Sequence, residues 1–424
     1  MKAIVDCNNF YCSCERLFRP DLELKPVVVL SNNDGCIISR TDEAKKLGVG
    51  MASPYYQNRH VIEKNQVAVF SSNYNLYGDL SMRVMDTLRE LVGPLSVEVY
   101  SVDEAFLDLA HILPHHLTPL LTRIKSTVEL WTGIRVSVGA APTKVLSKVA
   151  NRLSKKDKKG TQGMMILDND EKIRRALEAT AVDDIWGVGR QFAVKLRGLG
   201  IDNGWQLRNM PVEWARNNLG GVVGVRLSRE LNGTPCIPMK DPLETKKMIA
   251  TSRMFGSPVF ELHDLREAVA SYTSRAAEKL RRQCGVAAHI DVFVVTNGAR
   301  DQKYVYNPQT RHRHFTLPKA TADTSLLIRA AMSLVDQLYE PGLKYLKAGV
   351  VLGDITPGAS IQANLFDHAR TNGELMDTMD NINFGIKPDS IRFVSTGLRR
   401  DWKMRQALRS KRFTTRWDEL YEIK

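Results

Sequence analysis

Two short apolar segments each lead into acidic residues, and this placement restricts the possible fold more than any other feature of the sequence. Residues 3–5 precede Asp6, and residues 97–102 precede Asp103 and Glu104. Short apolar runs rich in β-branched residues predict buried strands. If the two strands are neighbours in one sheet, three carboxylates meet at one edge, where such crowding is costly without a cation. The alternative interpretation is that acidic residues at strand ends cap turns.

The rest of the chain predicts an α+β protein with several domains. A chain of 424 residues exceeds one ordinary domain and indicates about two to four of them. Strand and helix patterns mix through residues 1–165, whereas residues 166–233 are helical and punctuated by glycines. A proline-bearing stretch at 234–244 is typical of a linker, and strand-like and helical segments follow it. Residues 357–424 show little sign of a core of their own, because their aromatic residues are scattered among charges.

The distribution of charge indicates a polyanionic partner. The formal net charge is +13. Residues 144–160 contain seven basic residues and one acid, and residues 398–416 contain eight basic residues and one acid. Such runs are often simply solvated, but two of them in an otherwise balanced chain favour contacts with phosphates. Nucleic acid and an acidic membrane surface both fit this charge.

Composition also indicates the cellular compartment in which the protein works. No apolar stretch reaches the ~18–20 residues that span a bilayer, and Asp6 lies where a signal peptide has its apolar core. Six cysteines in 424 residues are too few for a disulfide scaffold, which favours the reducing cytoplasm. The spacing of Cys7, Cys12, Cys14 and Cys36 is not that of a zinc site, so we interpret these residues as buried apolar side chains.

Carboxylates that converge at a sheet edge are suited to two-metal phosphoryl transfer. This chemistry uses two metal ions ~3.5–4 Å apart, held by rigid elements. Mg²⁺ prefers oxygen ligands and is usually bound by one or two carboxylates together with substrate phosphates. Asp6, Asp103 and Glu104 are therefore candidate metal ligands, although their spacing alone does not decide between this role and turn capping.

The sequence around these acids closely resembles a known family. The resemblance is carried by the segments DCNNFYCS (6–13), VLSNNDGC (29–36), FSSNY (70–74), YSVDEAFLD (100–108), IWGVGR (185–190) and AGVVLGD (348–354). Two of these segments resemble the metal motifs of the Y-family translesion DNA polymerases. The others are similar to its UmuC branch, the catalytic subunit of bacterial DNA polymerase V, which includes homologues on mobile elements. The resemblance extends over essentially the whole chain.

The resemblance implies a right-handed polymerase fold. Its expected parts are a palm (1–10 and 77–165), small fingers (11–76), a helical thumb with a helix-hairpin-helix (166–233), a linker (234–244), a little finger (245–356) and a C-terminal tail (357–424). The implied activity is template-directed, error-prone DNA synthesis across damaged bases during the SOS response. The implied substrates are primer-template DNA and dNTPs.

The family pattern also implies the catalytic and nucleotide-binding residues. Asp6, Asp103 and Glu104 match the ligands of two Mg²⁺ ions, with the backbone carbonyl of Cys7 as a further ligand. Tyr11 falls at the steric gate, an aromatic ring that collides with a ribose 2′-OH. The other matching nucleotide-binding positions are Phe10, Arg40, Lys45 and Lys155.

Contacts with DNA and with partner proteins are implied in the same way. A turn containing Gly187 and Gly189, followed by Arg190, can present backbone N–H groups to a DNA phosphate. The segment QANLFD (362–367) resembles the peptide that binds the bacterial sliding clamp through Gln362, Leu365 and Phe366. The expected partners are the sliding clamp, a cleaved UmuD-type dimer and a RecA filament.

Two other functions are consistent with parts of this pattern. A non-catalytic DNA-binding accessory protein would keep the shape of a polymerase, but it would not need the carboxylates, Tyr11 and the lysines. A different palm enzyme, such as a nucleotide cyclase, would use the same metal site but would have no use for the helix-hairpin-helix. We therefore expect a polymerase.

Overall fold

A computed structural model describes most of the chain as two compact units. The described residues are 1–240, 245–299, 307–360, 372–387 and 389–421. Among them, the first unit comprises 1–31, 35–240 and 408–421, and the second comprises 32–34 and the residues from 245 to 407. The boundary between the units lies at the predicted linker 234–244. This division does not separate palm, fingers and thumb from one another, so their limits stay predictions.

The first unit mixes strands and helices. Its strands are β1 (Lys2–Cys7), β2 (Val27–Leu30), β3 (Ile37–Arg40), β4 (Ala68–Ser71), β5 (Val97–Val99), β6 (Glu104–Asp108), β7 (Val136–Ala141) and β8 (Met164–Ile166). Its helices are α1 (Phe10–Leu17), α2 (Asp42–Lys46), α3 (Tyr55–Lys64), α4 (Tyr74–Val92), α5 (Pro114–Thr132), α6 (Lys144–Lys156), α7 (Lys158–Thr161), α8 (Asp170–Glu178), α9 (Arg190–Gly198), α10 (Gly204–Arg208), α11 (Val212–Asn218) and α12 (Val222–Leu231). Its short 3₁₀ helices are Pro20–Leu22, Pro94–Ser96, Val182–Asp184 and Trp417–Glu419.

A five-stranded sheet with the order β5-β6-β1-β7-β8 forms the centre of this unit. Strand β1 is antiparallel to both β6 and β7, which explains why its apolar residues are buried. Side chains alternate between the two faces of a strand. Val5 and Cys7 therefore face the core that includes α4 and α5, and Asp6 faces the opposite side.

A turn separates β5 from the start of β6, and this corrects the strand predicted over residues 97–102. Strand β5 ends at Val99, and β6 begins at Glu104. The backbone N–H groups of Tyr100 and Ser101 both donate to the carbonyl of Glu104, at 3.0 and 3.1 Å. These hydrogen bonds reverse the chain, so that Asp103 ends a hairpin turn and Glu104 begins the next strand.

Two smaller structures complete the first unit. The strands β3-β2-β4 form a second sheet, in which β2 is antiparallel to β3 and parallel to β4. Helices α8 to α12 share one apolar core with α6, as the glycine-punctuated helical pattern of residues 166–233 predicts.

The second unit is a four-stranded antiparallel sheet covered by helices. Its strands, in the order β11-β10-β12-β9, are β9 (Ile249–Val259), β10 (Gly285–Ala299), β11 (Gln309–Thr321) and β12 (Leu343–Pro357). Its helices are α13 (Leu262–Arg282), α14 (Thr324–Leu338) and α15 (Gly373–Gly385), with short 3₁₀ helices at Asn32–Asp34, Gly358–Ser360 and Val394–Thr396. Among the described residues, no helix combines the length and the apolar character needed to cross a bilayer.

Part of the predicted tail packs into the second unit, which differs from the expectation of a segment without a core. Trp402 is only 7% exposed and contacts the rings of Phe255 and Tyr272, with centroids 6.4 and 5.6 Å apart. Arg281 of α13 forms a two-pronged ion pair with Asp380 of α15, at 2.7 and 2.9 Å. One buried tryptophan among charges gives no periodic pattern, which is why the sequence did not predict this packing.

Candidate active site

Three predicted metal ligands come together at the adjoining ends of β1 and β6. Asp6 and Glu104 are opposite each other in the antiparallel pair, which puts their side chains on the same face. The backbone N–H of Cys7 donates to the carbonyl of Asp103 at 2.8 Å, and the Asp103 carboxylate accepts from the Ser101 hydroxyl at 2.6 Å. The hairpin turn thus brings Asp103 beside β1.

Two lysines of helix α6 pair with these carboxylates. Lys155 Nζ lies 2.5 Å from Asp6 Oδ1, and Lys148 Nζ lies 3.0 Å from both carboxylate oxygens of Glu104. The two lysines are seven residues apart, which places them on one face of a helix. Lys148 also lies over the aromatic ring of Tyr100, at 4.5 Å from the centroid.

A glycine in β7 allows α6 to lie this close to the sheet. A Cβ atom at Gly139 would lie 2.2 Å from the backbone nitrogen of Asn151 and 2.4 Å from the carbonyl oxygen of Ser147. The Asn151 side chain also donates to the carbonyl of Ser137 in β7, at 2.9 Å. A larger residue at position 139 would therefore move the lysines away from the carboxylates.

The electrostatics of Asp6 reflect this crowded environment. Burial raises the pKa of the Asp6 carboxyl to about 7, even though Lys155 favours the charged form. The neighbouring Glu104 acts in the same direction as burial, since two adjacent carboxylates resist being charged together. A bound cation would favour the charged form of both.

The predicted nucleotide-binding residues line a cleft beside the carboxylates. This cleft has a volume of about 570 Å³ and contains Asp6, Asp103, Tyr11, Arg40, Lys45 and Lys155. Lys45 is exposed and donates to Asn9 Oδ1 at 2.7 Å and to Asp42 Oδ1 at 2.8 Å. Arg40 donates to the carbonyl of Val49. Phe10 reaches the cleft but is only 3% exposed, so most of its ring belongs to the core.

Tyr11 projects from the first turn of α1, directly after β1. Its ring is stacked on Tyr77 of α4, with centroids 4.6 Å apart and an angle of 20° between the rings. Tyr74 contacts the same ring edge to face at 6.1 Å. Burial raises the pKa of Tyr11 to about 12, so the phenol is neutral at physiological pH.

The predicted DNA-contacting turn lies between a short 3₁₀ helix and α9. Gly187 has a φ of +100°, a left-handed value that favours glycine, and α9 begins at Arg190. Gly187, Gly189 and Arg190 are all exposed. The element before the turn is the 3₁₀ helix Val182–Asp184 instead of a full helix, so the hairpin is shorter on that side than the sequence predicts.

The sequence did not predict a role for Lys148 or Tyr77 in this site. It did predict clamp-binding residues, whose positions the structure does not describe. The pairing of Lys148 could have been found, because Lys148 and Lys155 share a helical face. Tyr77 lies within the predicted palm but belongs to none of the family motifs, so the sequence contains no signal for its contact with Tyr11. The clamp-binding residues Gln362, Leu365 and Phe366 lie outside the described residues.

Comparison with known proteins identifies the family. The chain matches the impB/mucB/samB family over residues 5–152, the C-terminal domain of that family over residues 246–365, and a domain of unknown function over residues 374–423. It is 40% identical to Protein UmuC of Salmonella typhimurium over 429 residues, covering 100% of both chains. Protein ImpB of Salmonella typhimurium is 38% identical, with 99% of both chains covered.

Solved structures agree on the fold. A Y-family DNA polymerase chimera of Dbh and Dpo4 has a TM-score of 0.65 at 21% identity, covering 84% of this chain and 99% of the chimera. DinB from Sulfolobus solfataricus has a TM-score of 0.53 at 20% identity, covering 83% of this chain and 98% of that one.

The fold is that of a Y-family DNA polymerase, a class of metal-dependent nucleotidyltransferases that carries out translesion DNA synthesis. Within this class, the chain belongs to the impB/mucB/samB family as a UmuC-like member. The family resemblance and the polymerase fold inferred from the sequence are both confirmed.

Proposed function

We propose that this UmuC-like polymerase extends primers across damaged template bases with two Mg²⁺ ions bound by Asp6, Asp103 and Glu104. The observation that carries this proposal is the convergence of the three acids with Lys148 and Lys155 at the adjoining ends of β1 and β6. Such a cluster has no evident structural purpose, because acids that only cap turns need not be brought together. Error-prone synthesis within the SOS response follows as an extension of the family's activity.

The residues present fit a divalent cation of this kind. Three carboxylates and the backbone carbonyl of Cys7 form a donor set made only of oxygen, which suits Mg²⁺ better than softer metals. When bound, Mg²⁺ would neutralise the charge that develops on the reacting phosphates and favour ionisation of the primer hydroxyl. Asp6 and Glu104 hold their carboxylates on adjacent strands, so the sheet fixes their separation.

The basic residues of the cleft are suited to the triphosphate of an incoming nucleotide. Lys155 is paired with Asp6, and a phosphate group could take over Lys155 when a metal ion occupies its place beside the buried Asp6. Lys45 lines the cleft, and its exposed ammonium group could exchange Asn9 or Asp42 for a phosphate. Arg40 lines the same cleft and is assigned to the nascent base pair. Phe10 and Tyr11 begin the helix beneath the sugar, with Tyr11 as the gate against ribonucleotides.

Contacts outside the cleft are proposed on the same basis. The exposed turn at Gly187 and Gly189, with Arg190 after it, would hold a DNA phosphate without reading sequence. Membership of the UmuC-like family supports three partners for this protein, which are a cleaved UmuD-type dimer, a RecA filament and the sliding clamp. It also supports a cytoplasmic location. Support for clamp binding by Gln362, Leu365 and Phe366 comes from the sequence alone.

Primer extension with Mg²⁺ and the four dNTPs tests the activity. Steady, template-dependent extension supports a polymerase. Binding of primer-template without extension supports the accessory protein, and product that does not depend on the template supports a different palm enzyme. The clamp assignment has its own test, in which Gln362, Leu365 and Phe366 are all changed to Ala. This variant should keep basal extension and lose only the stimulation by the sliding clamp.

A further inference from the structure

Residues 408–413, which we call the strap, return to the first unit and extend its smaller sheet. The backbone N–H of Ser71, the last residue of β4, donates to the carbonyl of Leu408 at 3.0 Å. The N–H of Leu408 in turn donates to the Ser71 hydroxyl at 2.9 Å, and Arg409 is bridged to Ser71 in parallel. Because β4 is an edge strand, the strap occupies an edge that would otherwise be open.

The next residues of the strap are held at the start of α4. The Asn73 side-chain amide donates to the carbonyl of Ser410 at 3.1 Å, to the Ser410 hydroxyl at 2.9 Å and to the carbonyl of Lys411 at 3.2 Å. Asn73 is only 2% exposed and also caps the N-terminus of α4. The position of Ser410 is therefore fixed relative to the helix that carries Tyr77.

Ser410 contacts a buried carboxylate that also binds Tyr77. The Ser410 hydroxyl donates to Glu15 Oε1 at 3.0 Å, and the Tyr77 hydroxyl donates to the same oxygen at 2.6 Å. Both Glu15 and Tyr77 are 1% exposed. Burial raises the pKa of Glu15 to about 7, and the two hydroxyl donors oppose that increase. Each donor therefore matters to how this carboxyl is held.

The same tyrosine supports the gate residue. The ring of Tyr77 is stacked on Tyr11 at 4.6 Å, so the contacts run from Ser410 through Glu15 and Tyr77 to Tyr11. At the other end of the strap, Phe413 is stacked on Phe18, the residue after α1, at 4.7 Å. The strap thus holds α1, which carries Tyr11, and α4, which carries Tyr77.

We propose that the strap positions Tyr11 for the rejection of ribonucleotides, with Ser410 acting through Glu15 and Tyr77. The proposal rests on the proposed function, in which Tyr11 is the sugar gate. It would give a role to residues 408–413 of the domain of unknown function matched at 374–423. Ser410 and Glu15 are positioning residues, because neither lines the cleft that contains Tyr11.

The physical reason is that a steric gate works only if it does not move. A ring that can shift makes room for a 2′-OH and loses discrimination, whereas a ring stacked on a fixed neighbour does not. Tyr77 is fixed by a hydrogen bond to a carboxyl that is itself held by Ser410. Loss of the Ser410 hydroxyl should therefore loosen the support of Tyr11 without removing any group from the cleft.

The experiment measures kcat/KM for a dNTP and for the matching rNTP in the full-length protein. Ser410→Ala should lower the dNTP/rNTP ratio by ~3–10-fold, on the scale of one lost hydrogen bond. Tyr77→Phe keeps the stacked ring but removes the hydroxyl, and should lower the ratio by a similar factor. Ser410→Thr retains the hydroxyl and should keep the ratio near that of the unchanged protein.

Two controls separate positioning from a general loss of structure. Ser390→Ala removes a serine hydroxyl that donates to the carbonyl of Lys387 in the second unit, and it should leave the ratio unchanged. Ser410→Ala should have no further effect on the ratio in a Tyr11→Ala background, because the gate through which it acts is gone.

Each outcome decides the proposal. If Tyr11→Ala lowers the ratio but Ser410→Ala and Tyr77→Phe do not, the strap is only a structural brace and the proposal is wrong. An effect of Ser410→Ala that persists in the Tyr11→Ala background also overturns it. If Tyr11→Ala leaves the ratio unchanged, the gate assignment of the proposed function is wrong, and the strap proposal falls with it.

Discussion

Helix α6 brings lysines against acidic partners in two contrasting environments. Near its start, Lys144 pairs with Glu98, and the two side chains are 2% and 4% exposed. Lys144 also donates to the carbonyl of Pro238 at 2.8 Å, and Glu98 accepts from the backbone N–H of Lys240 at 2.9 Å. This pair is enclosed and supplied with additional hydrogen bonds, as a buried ion pair must be.

Further along the same helix, the Lys155–Asp6 pair lines the cleft, and the Lys148–Glu104 pair lines a second cavity that also contains Asp6 and Lys155. The Lys148–Glu104 pair has side chains 17% and 20% exposed, and the Lys155–Asp6 pair has side chains 32% and 12% exposed. These lysines reach solvent and can exchange a carboxylate for another anion, although the buried Asp6 then needs a cation in place of Lys155. One helix therefore carries a structural ion pair and two exchangeable ones. Only the exchangeable pairs leave a lysine available to a substrate phosphate.

The strongest test of this contrast removes one charge from the cleft. Asp103→Asn changes the size of the side chain little but removes a metal ligand, so nucleotide incorporation should fall by at least ~10³-fold. Asp108→Asn is the matched control, since Asp108 ends strand β6, which begins directly after Asp103, and pairs with Lys2 at 2.6 Å, away from the cleft. Primer extension and thermal unfolding of both variants make the comparison. Near-normal turnover by Asp103→Asn would contradict the assignment of the metal site.

Removing the buried lysine should affect stability instead of chemistry. Lys144→Met leaves Glu98 buried without its cation, so the free energy of unfolding should fall by ~3–5 kcal/mol. Lys148→Met removes a lysine from the same helix, where Glu104 still has access to solvent, and should cost no more than about 1 kcal/mol. Denaturant titration of the two variants measures the difference. Equal losses would mean that the two environments are not distinct.

A third buried carboxylate, Glu15, is held by hydroxyl groups instead of a lysine, and this predicts a pH dependence. Burial raises its pKa to about 7, above the ordinary value near 4.3 in the unfolded chain. The folded protein therefore holds a proton that the unfolded chain has released, so this contribution to stability is present below pH ~4.3 and is lost as the pH rises to about 7. The loss should be on the order of 3 to 4 kcal/mol.

Glu15→Gln should remove this part of the pH dependence, because glutamine does not titrate. The measurement is the free energy of unfolding at several pH values between 4.5 and 8. Glu129→Gln is the control, since Glu129 pairs with Lys125 at 2.6 Å near the surface and should leave the dependence in place. The same pH slope in the Glu15→Gln variant as in the unchanged protein would show that Glu15 does not hold the proton.

The smallest expected effect concerns the exchangeable pair of Lys155. Lys155→Met removes one charge from the proposed triphosphate site, so KM for the dNTP should rise by roughly tenfold, with little change in the free energy of unfolding. Lys156→Met is the control, because Lys156 follows on the same helix but lies 3.7 Å from Asp184 instead of Asp6. An unchanged KM in the Lys155→Met variant would mean that Lys155 pairs with Asp6 but does not bind the triphosphate.

The positions of the three acids were predictable from the sequence because the elements that carry them are local. Asp6 follows three apolar residues of β1, Asp103 ends a short hairpin turn, and Glu104 begins β6. A strand pattern and a motif are enough to predict such placements. The turn at residues 100–103 was not predicted, because residues 100–102 continue the strand-like sequence pattern of residues 97–99. The hydrogen bonds to the carbonyl of Glu104 that form the turn leave no signal in the sequence.

The support of Tyr11 could not be predicted in this way. Glu15 binds Tyr77 across 62 positions of the chain and Ser410 across 395 positions. Hydrogen bonds over such separations leave no periodic signal, and a serine in a basic run looks like any solvated residue. The burial of Trp402 was missed for the same reason, since a single apolar residue among charges predicts no core.

The return of the strap to the first unit has a consequence for how the protein is made. Residues 1–31 leave the ribosome long before residues 408–421, although both belong to one compact unit. At ~5–20 residues per second, the delay is roughly 20 to 75 seconds. During that time the edge of β4 has no strap and is open to other strands or to chaperones. A chain whose synthesis stops before residue 408 contains Asp6, Asp103 and Glu104 but lacks Ser410, so the first unit cannot be completed until these late residues have been made.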